Sequence, residues 1–268
     1  MYINLHSHSV YSDGRLDVRS LVEFAKKKRV LYFSITDHDT INAYSDAGIK
    51  YAQGLHLIRG VEISTKNHDY LHILGYGIKK TDELEKKLED FRNRRISRIN
   101  DIISKLRCLG IDISFDDLKI SSMTTVGRPH IADALVEKGY GCSRNEAFLK
   151  YLVEGKPAYV EPRGPDVDEA IEVIKNAGGL AVLAHPRMVE KFFDIEMLIK
   201  KGFDGIEAFY PAHTSWGIKR YIEIAHKYNL IVTAGTDYHG PQTDRQDMDI
   251  YSCDLEEIKM MERLFNEL

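Results

Sequence analysis

The chain has 268 residues, of which 43% are hydrophobic and 29% charged, and its formal net charge at pH 7 is −4. The length allows a substantial core in one large domain or in one domain with an insertion. The weak negative charge argues against general attraction to nucleic acids, although local basic residues could still bind a phosphate. Three isolated cysteines, Cys108, Cys142 and Cys253, argue against a disulfide framework and against a thiolate zinc site.

Neither a secretory leader nor a membrane-spanning segment is expected. The first residues alternate like a strand, whereas a leader would place a basic stretch before an apolar one. No apolar run approaches the roughly 18 residues that a membrane-spanning helix needs. Together with the unpaired cysteines, these features predict a soluble, cytoplasmic protein.

Strand-like and helical patterns alternate along the chain, because the hydrophobic period switches repeatedly between two and about 3.6 residues. Helical segments at 17–28, 166–177 and 215–228 separate most of the strand-like runs. This order predicts an α/β fold in which parallel strands close into a TIM-like barrel. The seven predicted strands are residues 2–6, 32–36, 55–63, 70–76, 180–184, 205–209 and 230–234.

Residues 81–159 break the alternation, since they contain several helical runs and no convincing strand. Apolar side chains recur at helical spacing over residues 81–109 and stop before Gly110, which predicts one long helix. Ser143 and Glu146 are spaced as a capping box that opens a second, short helix. We therefore expect a barrel of residues 1–80 and 160–268 with a helical insertion at 81–159. The basic run at 92–98 is interpreted as a solvated helix face.

Histidines and carboxylates cluster where the predicted strands end. In barrels of alternating strands and helices, polar residues at these ends commonly form the active site. Histidine and carboxylate ligands without cysteine suit Mn, Fe or Zn, and carboxylates can bridge neighbouring ions. The cluster therefore predicts a multinuclear metal centre for hydrolysis. Polar residues in this cluster include His6, His8, Asp37, His38, Asp39, Glu62, His72, His185, Asp237 and His239, with Asp13 in the turn after the first strand and His130 in the insertion.

These residues lie in stretches that resemble the successive motifs of the PHP (polymerase and histidinol phosphatase) family of metal-dependent phosphoesterases. The stretches are LHSHSVYSDG, ITDHDT, GVEIS, the strand with His72, GRPHIA, LAHP and TDYHG. The resemblance covers nearly the whole chain and implies a distorted seven-stranded β/α barrel. Residues 127–138, 147–148 and 155–160 resemble the branch that removes the 3′-phosphate from nucleoside 3′,5′-bisphosphates. Relatives in that branch also trim short RNA from its 5′ end.

The resemblance also implies two to three divalent metal ions, which would be Mn, Fe or Zn. One ion would bind His6, His8, Glu62 and Asp237; a second would share Glu62 and add His72 and His130; a third would bind Asp13, His38 and His239. His130 would then reach from the insertion into the mouth of the barrel. Asn4 departs from the family pattern, in which an Asp at this position commonly orients a ligand histidine.

Four further residues are candidates for binding the substrate: Arg128, His185, His213 and Lys156. The planar guanidinium of Arg128 suits two phosphate oxygens and could stabilise the charge that develops during attack by a metal-bridging hydroxide. His185 has no metal in this scheme and could bind phosphate or act as the general acid. A surface role for Lys156 and a loop role for His213 remain open.

Several other residues carry no firm assignment. Glu207 is undecided, Tyr210 and Trp216 could either stack on a base or pack, and the remaining histidines are interpreted as structural or surface residues.

The expected activity is phosphate monoester hydrolysis on a phosphorylated small molecule, with a nucleoside 3′,5′-bisphosphate favoured. A 5′-to-3′ exoribonuclease acting on short RNA and a histidinol-phosphate phosphatase are alternatives with the same chemistry. Similar barrels cleave C–N bonds, but some of those require a carboxylated lysine, and no lysine ends a strand in the ligand series. A metal-bound scaffold of a polymerase is the non-enzymatic alternative. The oligomeric state is left open.

Overall fold

The computed structural model of the chain describes residues 2–248 and 251–252. Cys253 and the end of the predicted barrel, residues 253–268, lie outside the described residues. The strands are β1 (Tyr2–Asn4), β2 (Tyr32–Phe33), β3 (His56–Leu57), β4 (Gly60–Ser64), β5 (His72–Tyr76), β6 (Leu180–Leu183), β7 (Gly205–Phe209), β8 (Ile231–Ala234) and β9 (Tyr251–Ser252). The helices are α1 (Val18–Lys27), α2 (Asp82–Cys108), α3 (Arg128–Glu137), α4 (Arg144–Tyr151), α5 (Val167–Asn176), α6 (Ile195–Ile199) and α7 (Ser215–Tyr228).

The strands form two mixed sheets, so the fold is α/β as predicted. One sheet has the order β3-β2-β1-β9, and the other has the order β4-β5-β6-β7-β8. The prediction of parallel strands throughout is wrong, because β5 is antiparallel to both of its neighbours and β9 is antiparallel to β1. Only residues 65–71 connect β4 to β5, and a segment this short cannot make the crossover that a parallel pair needs.

The predicted strand at 55–63 is divided between the two sheets. Its first part, β3, pairs with β2, whereas β4 pairs with β5. The chain passes very close to the first sheet at Gly60, where a Cβ atom would lie only 2.4 Å from Oγ of Ser34. Glycine at this position therefore lets the backbone leave one sheet and enter the other.

Backbone hydrogen bonds join the two sheets at the ends of the strands that lead to the site. Beyond β1, Leu5 N–H donates to Ala234 O at 2.9 Å and His8 N–H donates to Tyr238 O at 2.8 Å. Beyond β2, Asp39 N–H donates to Glu62 O at 3.0 Å. The segments that follow β1, β2 and β8 therefore meet β4 at one edge of the molecule.

The helices begin and end close to the predicted positions, because their capping residues are visible in the sequence. Thr81 caps α2 by accepting a hydrogen bond from Leu84 N–H at 3.1 Å, and Ser143 caps α4 in the same way. The helix α2 ends at Cys108, shortly before Gly110, whose φ of 79° favours glycine. Among the described residues, no helix combines the length and hydropathy needed to cross a membrane.

The long helix α2 contacts two different hydrophobic cores. Its first half buries Leu84, Leu88 and Phe91 in the core beneath the five-stranded sheet. Its second half buries Ile99, Ile102 and Leu106 in a separate core together with α3 and α4. The helical segment thus has a core of its own and is anchored to the sheets by one shared helix.

Candidate active site

Glu62 on β4 is the residue around which the candidate site is built. It is 1% exposed, and its two carboxylate oxygens face different groups of histidines. Oε1 lies 2.8 Å from Nδ1 of His72 and 3.1 Å from Nε2 of His185. Oε2 lies within 3.3 Å of a ring nitrogen from each of His6, His8 and His38.

The alternation of an extended segment brings His6 and His8 to the same side of the chain. Ser7 between them points away and donates its hydroxyl to Ser34 O at 2.8 Å. Both histidines direct Nε2 toward Oδ1 of Asp237, at 3.2 and 3.0 Å. Ligand atoms of His6, His8, Glu62 and Asp237 lie within 4.8 Å of one another and could hold one ion.

Two further groups of ligand atoms adjoin the first. Asp13 lies 3.2 Å from Nε2 of His239 and 3.8 Å from Nε2 of His38, and His8 completes this group. A third group contains His38, Glu62 and His72. The structure therefore brings eight of the nine predicted ligands together, and His8, His38 and Glu62 each belong to two groups.

The hydrogen bonding of these side chains fits a cation. Among the described residues, Nε2 of His6, Nε2 of His8, Oδ1 of Asp13, Oε2 of Glu62 and Oδ1 of Asp237 are buried without a hydrogen-bond partner. Buried polar atoms rarely lack partners, because an unpaired one costs about 1–3 kcal/mol. All five atoms belong to the first two groups, and imidazole and carboxylate donors are the ligands that Zn, Mn and Fe accept.

Neighbouring side chains orient the ligand histidines through their other ring nitrogens. Glu207 on β7 is fully buried and lies 3.0 Å from Nδ1 of His6. Nδ1 of His8 lies 3.2 Å from the hydroxyl of Ser12, which donates to Asp37 at 2.6 Å. Such contacts fix the ring orientation and the tautomer of a metal-binding histidine. The sequence alone does not assign a role to Glu207, although its position at the centre of a buried strand is a signal.

Asn4 connects backbones and does not orient a histidine ring. Its side chain accepts from His6 N–H and Thr236 N–H, each at 3.2 Å, and donates to the hydroxyl of Thr236 at 2.7 Å. An Asp at this position could not make the donor contact. The ring of His6 is held by Glu207, so the departure at Asn4 leaves the ligand oriented.

Mutual electrostatics keep the carboxylates ionised in spite of burial. Burial alone would raise the pKa of Glu62, but the charges of His6, His72 and His38 hold it well below its usual value. Burial likewise favours neutral His8, yet the adjacent carboxylates of Asp237 and Glu62 raise its pKa to about 10. The raised pKa values of His6 and His8 let these two histidines carry protons that balance the carboxylates in the protein alone, whereas burial lowers the pKa of His38. A bound cation would replace the protons of His6 and His8.

His130 and His185 occupy places that the sequence-based scheme did not assign to them. His130 lies in the first turn of α3, where its Nδ1 is 3.0 Å from the N–H of Gly127, and it belongs to none of the three ligand groups. His185 is buried, with a φ of 28°, and its Nε2 contacts the same oxygen of Glu62 that faces His72. The structure thus brings His185, and not His130, beside Glu62 and His72.

A cavity of about 480 Å³ opens beside this cluster. Its lining includes Asp13, His38, His72 and His239 and also the side chains of Tyr70, Phe148 and Leu149. Five arginines also line it, namely Arg95, Arg98, Arg128, Arg144 and Arg245. The cavity therefore combines candidate metal ligands, cationic side chains and apolar surface, which suits a phosphorylated organic ligand.

The basic run on α2 supplies part of this arginine wall, so its interpretation as a solvated face is wrong for three members. Arg92 donates to Asp39 O at 2.9 Å, Arg95 donates to Asp39 Oδ2 at 2.8 Å, and Arg98 donates to Asp69 at 2.7 Å. Spacing by three residues places them on one helix face. That spacing was a signal in the sequence, but it does not reveal what the face contacts.

Of the other predicted substrate-binding residues, one lines the cavity and two do not. Arg128 lines the cavity and donates to Asp69 at 2.7 Å. Lys156 is exposed and does not line the cavity in the described part of the chain. His213 is buried, with Nδ1 2.7 Å from Ala208 O, and it does not line the cavity either. Tyr210 is buried against His185, whereas Trp216 is 71% exposed on α7.

The chain is similar to several known proteins over most of its length. The family model for the PHP domain matches residues 4–261. A 5′-3′ exoribonuclease of Haemophilus influenzae is 34% identical over 246 residues, covering 89% of this chain and 90% of that protein. A 3′,5′-nucleoside bisphosphate phosphatase of Chromobacterium violaceum is 30% identical over 256 residues, covering 92% and 90%. A structure from Bifidobacterium adolescentis, provisionally named a metal-dependent phosphoesterase, matches with a TM-score of 0.85 at 29% identity, covering 97% and 95%.

Proposed function

The chain belongs to the PHP domain family and is a hydrolase of phosphoric esters, and on this premise we propose that it removes the 3′-phosphate from nucleoside 3′,5′-bisphosphates. One observation carries the proposal: a single cavity joins the candidate metal ligands to several arginines and to Phe148. A bisphosphate of this class has two anionic groups and an aromatic base, which correspond to those three kinds of lining. The relative from Chromobacterium violaceum bears the matching name.

Two to three divalent ions, Mn, Fe or Zn, are proposed as cofactors. We assign one to His6, His8, Glu62 and Asp237, and another to Asp13, His38 and His239. For a third position the contacts of Glu62 favour His72 with His185 over His72 with His130. When bound, such ions polarise a phosphate ester and lower the pKa of a water molecule toward neutrality.

The protein's own side chains would orient the reacting phosphate. Arg95 donates to Ser64 Oγ at 2.7 Å, and Ser64 Oγ lies 3.3 Å from Nδ1 of His38, so Arg95 is one residue away from the ligand cluster. We therefore assign Arg95 to the phosphate that is removed, and keep Arg128 as a substrate-binding residue. We therefore assign His185 as a candidate metal ligand and no longer as the candidate general acid. Roles for Lys156 and His213 in binding stay predictions.

The division of the chain is also proposed on physical grounds. Residues 1–80 and 160–268 would form one distorted barrel from the two sheets, and residues 81–159 would be a helical insertion that supplies most of the arginine wall. The separate core formed with the second half of α2 supports this division. The cytoplasmic location stays a prediction.

Exonucleolytic cleavage of short RNA is the second candidate function, because the relative from Haemophilus influenzae that is 34% identical bears that name. Both activities would use the same metal centre. They differ in the substrate, because an RNA continues beyond its first nucleotide and a nucleoside bisphosphate does not.

A substrate panel tests the proposal. Metal-loaded protein is assayed for phosphate release from adenosine 3′,5′-bisphosphate and histidinol phosphate, and for nucleotide release from a short 5′-phosphorylated RNA. We expect the largest kcat/KM with the bisphosphate. The substrate assignment fails if the bisphosphate is not hydrolysed while another ester of the panel is.

A further inference from the structure

Asp69 holds two arginines of the cavity wall in one arrangement. Its Oδ1 accepts from Nη2 of Arg98 and its Oδ2 accepts from Nη1 of Arg128, both at 2.7 Å. The arginines come from different helices, α2 and α3, while Asp69 lies in the connection that precedes β5. One carboxylate thus brings two guanidinium groups together that are distant in the sequence.

The group is buried and carries an excess of positive charge. The side chains of Asp69, Arg98 and Arg128 are 7%, 10% and 11% exposed, and all three line the cavity. Two cations share one anion, so one positive charge is uncompensated within the group. Burial together with the nearby charge of Arg128 lowers the pKa of Arg98, which reflects the cost of this arrangement. A bound anion would remove the excess charge.

Hydrogen-bond donors remain for such an anion. Within the described residues, the hydrogen bonds of Arg128 use Nη1, to Asp69 and Leu152 O, while Arg98 uses Nε and Nη2, to Val160 O and Asp69. Nε and Nη2 of Arg128 and Nη1 of Arg98 are left for a ligand. Guanidinium groups favour phosphate because two parallel N–H groups can contact two oxygens.

We propose that Arg98 and Arg128, positioned by Asp69, form a second anion site that binds the non-scissile phosphate of the substrate, a phosphate monoester dianion. The inference rests on the proposed function. Asp69 precedes His72 by three residues, which limits the distance between their Cα atoms to about 11 Å. The second site therefore lies close enough to the ligand cluster for one nucleoside to connect them. The ring of Phe148, 5.0 Å from the guanidinium of Arg128, provides an apolar surface beside the site.

Kinetics with two substrates test this site. Metal-loaded wild type is compared with Arg128→Lys and Arg98→Lys, which keep the charge but lose the planar fork. Arg163→Lys serves as the matched control, since Arg163 pairs with Asp101 and does not line the cavity. We expect KM for adenosine 3′,5′-bisphosphate to rise at least about tenfold in the first two variants, a larger factor than for adenosine 3′-monophosphate, which lacks the second phosphate, while Arg163→Lys matches wild type.

Calorimetry on the same metal-loaded proteins separates this site from the proposed function. Adenosine 5′-monophosphate should bind each of the two variants at least about tenfold more weakly than wild type, whereas adenosine should bind all proteins equally. Equal binding of the monophosphate by wild type and both variants would overturn the second site, even if bisphosphate is hydrolysed. Weakened binding in a protein that hydrolyses no bisphosphate would support the site and refute the substrate assignment.

Discussion

The candidate metal ligands and the arginines of the cavity differ in whether their charges are already paired. At the metal end, by which we mean the three ligand groups, carboxylates and histidines come from segments that follow β1, β2 and β8 and from β4. Several of their atoms have no hydrogen-bond partner among the described residues. In the arginine wall, Arg95, Arg98 and Arg128 each already pair with an aspartate. One end requires an ion for completion, whereas the other is preorganised by the protein itself.

This difference separates reactivity from selectivity. The metal end is fixed by two hydrogen-bonded sheets, so its geometry depends little on the helical segment. Arg95, Arg98 and Arg128 are carried by α2 and α3, and changes in those helices could alter which ester is bound while leaving metal binding intact. Variants at the metal end should therefore change metal content and kcat, and variants at these three arginines should change KM alone.

Replacing Glu62 by Gln should have the largest effect. Glu62 contacts members of both the first and the third ligand groups, so loss of its charge removes the only carboxylate that they share. We expect the protein to lose at least one bound ion and about 10³-fold in kcat/KM. Elemental analysis and phosphate release measure the two effects. Glu89→Gln on the exposed face of α2 is the control, and full metal content in Glu62→Gln would contradict the assignment.

Replacing Glu207 by Gln should weaken metal binding by about 10- to 100-fold, because contacts behind ligand histidines contribute on this scale. The amide can still accept from His185 N–H, which Glu207 contacts at 2.8 Å, but it no longer offers a carboxylate to His6. Competition with a chelator gives the affinity. Unchanged affinity would show that Glu207 has only a structural role.

Replacing Arg95 by Lys should raise KM about tenfold with metal content unchanged, since lysine cannot contact Asp39 and a phosphate through one planar group. Arg94→Lys on the same helix is the control, because Arg94 pairs with Asp90 and Glu169 and does not line the cavity. A loss of metal in Arg95→Lys would mean that the wall and the metal end are not separable.

The metal end was predictable from the sequence, whereas of the wall only Arg128 was, for a physical reason. Histidines and carboxylates at strand ends have few structural uses, so their presence in the LHSHSVYSDG and TDYHG stretches already indicated ligands. Arginines on a helix usually face solvent, and only the tertiary fold shows that Arg98 meets Asp69. The sequence likewise did not show that His185 rather than His130 lies beside Glu62. This placement depends on the antiparallel pairing of β5 with β4 and β6.

Metal uptake should depend on pH at the metal end. The pKa of His8 is raised to about 10, so in the protein alone its imidazole is protonated at pH 7 and must lose that proton to bind an ion. We expect affinity to rise by about tenfold per pH unit toward pH 10 for each proton displaced. The stability that charged His8 gives the metal-free protein is present below its unfolded pKa and is lost as pH rises through about 10. Calorimetry in buffers of different ionisation enthalpy counts the protons, and uptake without proton release would contradict this.

The smallest effect should come from Thr81→Ala, which removes the N-cap of α2 without touching the cavity. Thr81 accepts from Leu84 N–H, and loss of such a cap lowers the free energy of unfolding by about 1 kcal/mol. We expect a melting temperature about 2–4 °C lower, with Thr81→Ser close to wild type. KM should stay unchanged, because Arg95 and Arg98 lie several turns further along α2 and are held by Asp39 and Asp69. A rise in KM would mean that the positions of Arg95 and Arg98 depend on the N-terminal end of α2 and not on Asp39 and Asp69.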